Sequence, residues 1–169
     1  LLADKPRHLA VLNAAARRAR WGLLQDPGHH LGIALQESFG SIVAQVAEVS
    51  VEGRNVRVHR VTCAIDCGFA VNPAGVIAQM ESAVVFGLSA ALYGEIGIER
   101  GGAVQSNFDD YRLLRISEMP FVDTILVASD GAMGGAGEPG VPPVAPAVAN
   151  ALSAATGKRT RRRPTASAL

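Results

Sequence analysis

The chain has 169 residues, 49% of them hydrophobic and 18% charged, with a net charge of +1. That length holds one domain with a real core, or part of a larger one, and the balance excludes an intrinsically disordered chain. It also removes any global field directed at nucleic acid, and the apolar runs fall short of the roughly 18 residues that a membrane span needs.

The N-terminus, LLADKPRHLA, lacks a basic segment followed by an apolar one, so it reads as no secretion signal. Its first residue is Leu, which suggests a trimmed or incomplete chain and leaves the compartment open. Residues 6 to 21 are predicted to be helical. Pro6 suits a first helical position, Leu9, Leu12, Ala16 and Ala19 form a stripe, and Arg17, Arg18 and Arg20 face away. QDPGHHLG breaks this helix and leaves His29 and His30 as a solvated pair in a loop.

Residues 32 to 66 read as β structure. Val49 and Val51 alternate with Glu48, Ser50 and Glu52, then Val56 and Val58 alternate with Arg57 and His59. Gly53-Arg54-Asn55 supplies the bend of a hairpin. Cys63 and Cys67 lie four apart on the third strand, a spacing that shares a face with His59. Structural zinc takes four ligands and favours Cys-x2-Cys, so two buried, reduced thiols are expected and no metal site.

Asn72-Pro73 is a helix entry, with Asn as cap and Pro in the first turn. Val76, Met80, Ala83, Val84, Gly87, Leu88 and Ala91 then form a helical apolar stripe. Gln79, Ser82, Phe86, Ser89 and Tyr93 occupy a second face, which suits either a partly exposed polar side or a bound ligand. IGIERGGAVQ reads as a second hairpin turning at Arg100 to Gly102, and FVDTILVAS as a short strand. The last helix, PVAPAVANALSAATGK, tolerates Pro143 and Pro146 because both fall in its first turn, and Gly157 ends it. Residues 158–169 form a basic tail, the usual complement of a helix C-terminus, and without aromatics they predict no nucleic-acid partner. Helices mixed with antiparallel hairpins make the class α+β.

Between strand and last helix, GGAGEPGVPPVAPAVANA sets one carboxylate, Glu138, among Gly134, Gly135, Gly137 and Gly140 and four prolines. Glycines there allow close backbone approach and positive φ, and the prolines stiffen the path. A carboxylate fixed in this way suits proton abstraction. The rival phosphate cradle lacks a following Gly-Lys-Ser/Thr, and a plain surface turn stays open on composition alone.

Read together, VTCAIDCGFAVNPAGVIAQMES, VVFGLSAALYGEI, VQSNFDDYRLLR and GGAGEPGVPPVAPAVANALSAATGKR resemble the C-terminal part of the molybdopterin-binding large subunit of the xanthine oxidase/aldehyde oxidase family. Within that family the likeness is to isoquinoline 1-oxidoreductase beta subunits and membrane-associated aldehyde dehydrogenases, and it runs from about residue 6 to residue 163. The resemblance implies that Glu138 is the active-site base and that Gln79 hydrogen-bonds the pterin, with Gly135 and Gly137 beside the cofactor. Where the family favours Glu-Gly after that glutamine, this chain has Glu81-Ser82. It further implies molybdopterin, in its cytosine dinucleotide form, and hydroxylation of an N-heterocycle or oxidation of an aldehyde with water as oxygen source.

Two cysteines fall short of the four a cluster needs, so a [2Fe-2S] centre would sit on a small partner subunit. Family subunits are several times longer. Residues 1–169 are therefore expected to be a C-terminal segment of a molybdopterin-binding domain, active only with the remaining part of the large subunit. The alternative is a noncatalytic remnant that keeps the fold without cofactor.

Overall fold

A computed structural model describes residues 2–161, and residues 162–169, most of the expected basic tail, lie outside the described residues. The elements run α1 (Pro6–Arg18), β1 (His29–Ser38), β2 (Ser41–Glu52), β3 (Asn55–Asp66), α2 (Pro73–Leu92), β4 (Ile98–Glu99), β5 (Gly102–Ala103), β6 (Phe121–Leu126) and α3 (Val144–Thr156). The main sheet has the order β1-β2-β3-β6, and β4 and β5 form a separate short hairpin. On one face α1 packs Val11 and Ala15 on Ile42, Ala44, Val46 and Ala64. On the other, α2 and α3 pack Val84, Leu88, Val148 and Leu152 on Ala47, Val49, Val58 and Val61. The class is α+β, as the alternation of hairpins and helices predicts.

β2 is central, so both of its faces are covered and its first seven residues are all buried. Only its distal end keeps the expected in–out alternation. The β1–β2 connection is the two-residue turn Phe39-Gly40, both at positive φ (55° and 76°). That is the backbone a tight hairpin with right-handed strand twist requires, and it holds Phe39 in a conformation non-glycine residues adopt rarely. β6 departs from expectation, because it pairs with β3 in parallel. A parallel neighbour needs a long crossover, and residues 67–120, including α2, supply it.

The expected loop around His29 and His30 is instead the start of β1, with His29 opposite Ser50 and His30 opposite Val49. β3 carries a bulge: Arg60 pairs with Glu48 and Val58 with Val49, so His59 between them has no partner. The extra residue switches faces, which lets Val58 and Val61 share one core cluster.

α2 buries Val76, Met80, Ala83, Val84, Gly87, Leu88, Ala91 and Leu92, the expected stripe extended by one residue. The Asn72 side chain accepts a hydrogen bond from the Gly75 amide at 3.1 Å, as an N-cap should. By length and mean hydropathy α2 suffices to cross a membrane, contrary to the run-length expectation; here its stripe packs on α3 and the sheet. α1 ends at Arg18; its fully buried residues are Val11 and Ala15, while Leu12 and Ala19 of the predicted stripe are partly buried against the same cluster. Arg7, at the same helical phase as Val11 and Ala15, is drawn toward the sheet by a buried acid described below.

α3 crosses β1 closely at Gly32, where a Cβ would lie 2.1 Å from both the Ala147 carbonyl oxygen and the Ala151 amide nitrogen. Both are backbone atoms and cannot swing aside. Gly32→Ala is therefore expected to cost at least the upper end of the roughly 1–3 kcal/mol typical of overpacking. Urea unfolding measures it, and a change below about 0.5 kcal/mol, the size of an indifferent surface substitution, would show that α3 slides freely.

Candidate functional site

The Gly/Pro loop is stitched to the sheet by its backbone. The Gly134 amide donates to the Cys67 carbonyl at 3.0 Å, and the Gly135 amide to the Phe39 carbonyl at 2.8 Å. The Ser41 hydroxyl donates to the Gly135 carbonyl at 2.6 Å, and the Gln45 amide to the Gly140 carbonyl at 2.7 Å. The Val141 amide closes a turn on the Glu138 carbonyl at 2.9 Å. None of the four loop glycines has a positive φ, so the expected left-handed backbone is not what selects them. Close approach accounts for two of them: a Cβ at Gly134 would meet Ser41 Oγ at 2.5 Å, and one at Gly140 would meet the Ala83 Cβ at 2.8 Å.

Glu138 sits at the outward tip of this loop, exposed, on the rim of a cavity of about 480 Å³. Phe39, Ser82, Phe86, Val141 and Pro142 form the rest of its wall. Gly137 borders the same cavity, and a Cβ there would meet nothing within 4 Å. Gly135 is exposed too, with its amide committed to the Phe39 carbonyl.

Gln79 does not line the cavity; it lies exposed on α2, one turn before Ser82, on the same helical face. Ser82 and Phe86 also border a groove of about 720 Å³ against Phe108, Tyr111 and Met119. Neither Glu138 nor Gln79 has a side-chain hydrogen-bond partner among the described residues. The unpartnered Glu138 carboxylate beside the bare Gly137 on the cavity, with the exposed Gln79 amide one turn before Ser82 on α2, leaves polar groups free for a bound polar cofactor. Ser82, which stands where the family favours glycine, is exposed and borders the cavity, so its hydroxymethyl takes up space on that open side.

Sequence reasoning missed the residues that hold the loop. Ser41 and Gln45 are both fully buried on the α2-facing side of β2, polar groups in an apolar row. Asp66, 1% exposed at the end of β3, accepts from Arg7 Nε at 2.8 Å and Nη2 at 2.9 Å, from the Ser129 hydroxyl at 2.6 Å and from the Gly68 amide at 2.9 Å. Burial alone would raise its pKa, but the guanidinium, hydroxyl and amide outweigh it and hold the carboxyl at about 2. This knot fixes the segment leading into the Gly/Pro loop. The one available signal was a polar residue inside each apolar strand run.

The thiols and histidines separate. Cys63 is fully buried, and burial pushes its thiol up to about 12, against a smaller opposing effect of Gln45. Cys67 is buried too, and both are free thiols, as expected. His59 leaves their face because of the bulge and stacks on His29, with ring centroids 4.1 Å apart. His29 Nδ1 lies 2.6 Å from a Glu48 carboxylate oxygen, so this histidine is paired rather than solvated. Burial first, then the neighbouring His29, lowers the His59 pKa.

A family model for the molybdopterin cofactor-binding domain matches residues 25–120. Isoquinoline 1-oxidoreductase subunit beta from Brevundimonas diminuta is 36% identical over 173 residues, covering 99% of this chain and 22% of that protein. A membrane-bound aldehyde dehydrogenase from Gluconacetobacter polyoxogenes is 33% identical over 165 residues, covering 94% of this chain and 21% of that protein. Among solved structures, quinoline 2-oxidoreductase from Pseudomonas putida aligns with a TM-score of 0.65 and 21% identity, over 69% of this chain and 16% of that one. The aldehyde oxidoreductase from Desulfovibrio desulfuricans aligns with a TM-score of 0.64 and 25% identity, over 74% of this chain and 14% of that one. The chain thus spans about a fifth of the length of these two curated relatives.

Proposed function

Because the chain belongs to the molybdopterin cofactor-binding domain family of molybdenum oxidoreductases, we propose that it forms one wall of a hydroxylase site with Glu138 as base. One observation carries this reading: the Glu138 carboxylate is unpartnered, yet its backbone is held on both sides and opens on a cavity. A surface turn with an incidental acid has no need of such anchorage. Gln79 would donate its amide to the pterin from the exposed face of α2. Gly137 would lie against the cofactor, and Gly135, whose amide is committed, would offer only its bare Cα.

The cofactor, when bound, supplies Lewis acidity and an electron sink. The chain's own part is proton transfer and placement. Glu138 would accept the proton of the water-derived hydroxyl as oxygen adds to an electron-poor carbon, whose displaced hydride would pass to the electron sink the cofactor would supply; a positioned base contributes roughly 10²–10⁴ in rate. Phe39, Phe86, Val141 and Pro142 give that carbon an apolar surround and thin the water near the carboxylate. The substrate class, an N-heterocycle or an aldehyde, is supported by relatives named for isoquinoline and for aldehyde oxidation. The cytosine dinucleotide form of the cofactor, the remaining part of the large subunit and a small [2Fe-2S] subunit complete the proposed enzyme. Residues 1–169 act in it as the C-terminal segment of a larger molybdopterin-binding domain.

Molybdenum content of the chain, purified from its source with bound partners, tests this. About one molybdenum per chain is expected, with a companion polypeptide in the same peak. Gly137→Ala should leave the unfolding midpoint unchanged, since its Cβ meets nothing in the chain. It should lower the retained molybdenum if the cofactor lies there. Metal-free protein running alone would favour the noncatalytic remnant.

A further inference from the structure

β2 presents an apolar row to α2 and α3, made of Val43, Ala47 and Val49, and interrupts it twice with polar residues. The interruptions, Ser41 and Gln45, are both 0% exposed. A buried amide or hydroxyl is retained in a core only against the cost of desolvation, so each needs a reason. Each donates to one loop carbonyl: Ser41 to Gly135, and Gln45 to Gly140. The two carbonyls bracket Glu138.

The spacing matters as much as the bonds. Four residues of strand separate the grips by roughly 13 Å. The six residues from Gly135 to Gly140 make five Cα–Cα steps, which reach at most about 18 Å when fully extended. A tight turn at Glu138–Val141 takes up much of the difference. The acid therefore rides on a segment with little slack, clamped at both ends to the most buried strand of the sheet. Gln45 is also an incomplete fit as mere core filler. Its Oε1 is buried without a partner, while its Nε2 serves Gly140 at 2.7 Å and sits 3.7 Å from Cys63 Sγ. A leucine or methionine would fill that volume without stranding an oxygen.

We infer that Ser41 and Gln45 are positioning residues that fix the Glu138 carboxylate by clamping the loop on either side of it. This inference rests on the reading of Glu138 as base. Displacement of the acid by about 1 Å is enough to cost on the order of 10²-fold in a step that depends on alignment.

The test uses the assembled enzyme, with every rate expressed per bound molybdenum. Gln45→Met keeps the volume and removes the donor, and kcat is expected to fall about 10–100-fold, with KM within about twofold. Ser41→Ala should move the same way by a smaller factor. Gln45→Glu gives the sharper readout. While its carboxyl is protonated it still donates to the Gly140 carbonyl, and once ionised it repels that oxygen. The ratio of its kcat to that of the wild type should therefore fall as pH rises. A purely structural role would lower the yield of loaded enzyme but leave kcat per molybdenum and the shape of that ratio unchanged.

Wild-type kcat in Gln45→Met and Ser41→Ala, with a flat ratio for Gln45→Glu, overturns the inference provided Glu138→Gln is inactive. Full activity in Glu138→Gln overturns the base reading itself, and the positioning role with it.

Discussion

Replacing Glu138 by Gln in the assembled enzyme should lower turnover by roughly two to four decades while leaving molybdenum content unchanged. Glutamine matches the carboxylate in shape and hydrogen-bonding length but accepts no proton at working pH. The fold should not register the change, because Glu138 is exposed and makes no side-chain hydrogen bond among the described residues. Exposed substitutions of that kind usually stay within about 0.5 kcal/mol of the parent. Activity and stability thus part company, and that separation is the diagnostic. Equal loss of activity, cofactor and melting temperature would mean that the carboxylate supports structure instead. An unchanged rate would leave the chain as scaffold beside a site run by other residues.

Arg7→Ala is expected to cost stability on the scale of Gly32→Ala, by a different route. It leaves Asp66, 1% exposed, without its bidentate guanidinium partner. Removing one member of a buried pair costs about 3–5 kcal/mol, and the low end applies here because the Arg7 side chain is itself 36% exposed. For a chain of this size about 3 kcal/mol corresponds to a fall of roughly 6–12 °C in melting temperature.

The pH dependence follows from the depressed Asp66 pKa. A carboxyl titrating near 2 in the folded chain and near 4 when unfolded contributes stability that is complete above about pH 4. That contribution disappears as pH falls from about 4 to about 2, since the unfolded chain takes up the proton first. Wild type and Arg7→Ala should therefore differ most in urea unfolding at neutral pH and converge toward pH 2. A difference that is constant across that range would show that Arg7 acts through packing on Gly131, whose Cα region its guanidinium covers, rather than through charge.

The parts of this fold that could be read from the sequence are those set by local periodicity. α2 announced its buried stripe, its Asn72 cap and its polar face, because a helix that packs on one side repeats that side every three to four residues. The long β2–β3 hairpin was equally plain. What stayed hidden was set by distant chemistry. Arg7 counts as a polar residue on any helical wheel, and only Asp66, 59 positions away, turns it toward the sheet. His59 looked like a neighbour of the cysteines until the bulge shifted the phase of β3 by one residue. The parallel pairing of β6 depends on where a crossover lands, which no window of sequence contains. Glu138 itself was visible through the odd composition of its loop and through resemblance. Its supports, Ser41 and Gln45, were hidden because a lone polar residue in a valine-rich strand looks like noise.

The distance in sequence between those supports and the loop has a kinetic consequence. Ser41 and Gln45 reach partners 94 and 95 positions along the chain. Nothing in the intervening segment forms that geometry by itself, so the loop takes its shape only after β2, β3 and β6 have assembled and α3 has docked. Non-local closure of this kind comes at the slow end of folding, when most of the ordering entropy has already been lost. On the reverse path, the exposed glycine-rich stretch around Glu138 opens more readily than the buried strand that holds it. The placement of the acid is thus completed late in folding, after the strand that clamps it. Amide exchange at Val141 would run ahead of exchange in β2, and a cofactor seated against the loop would close that gap.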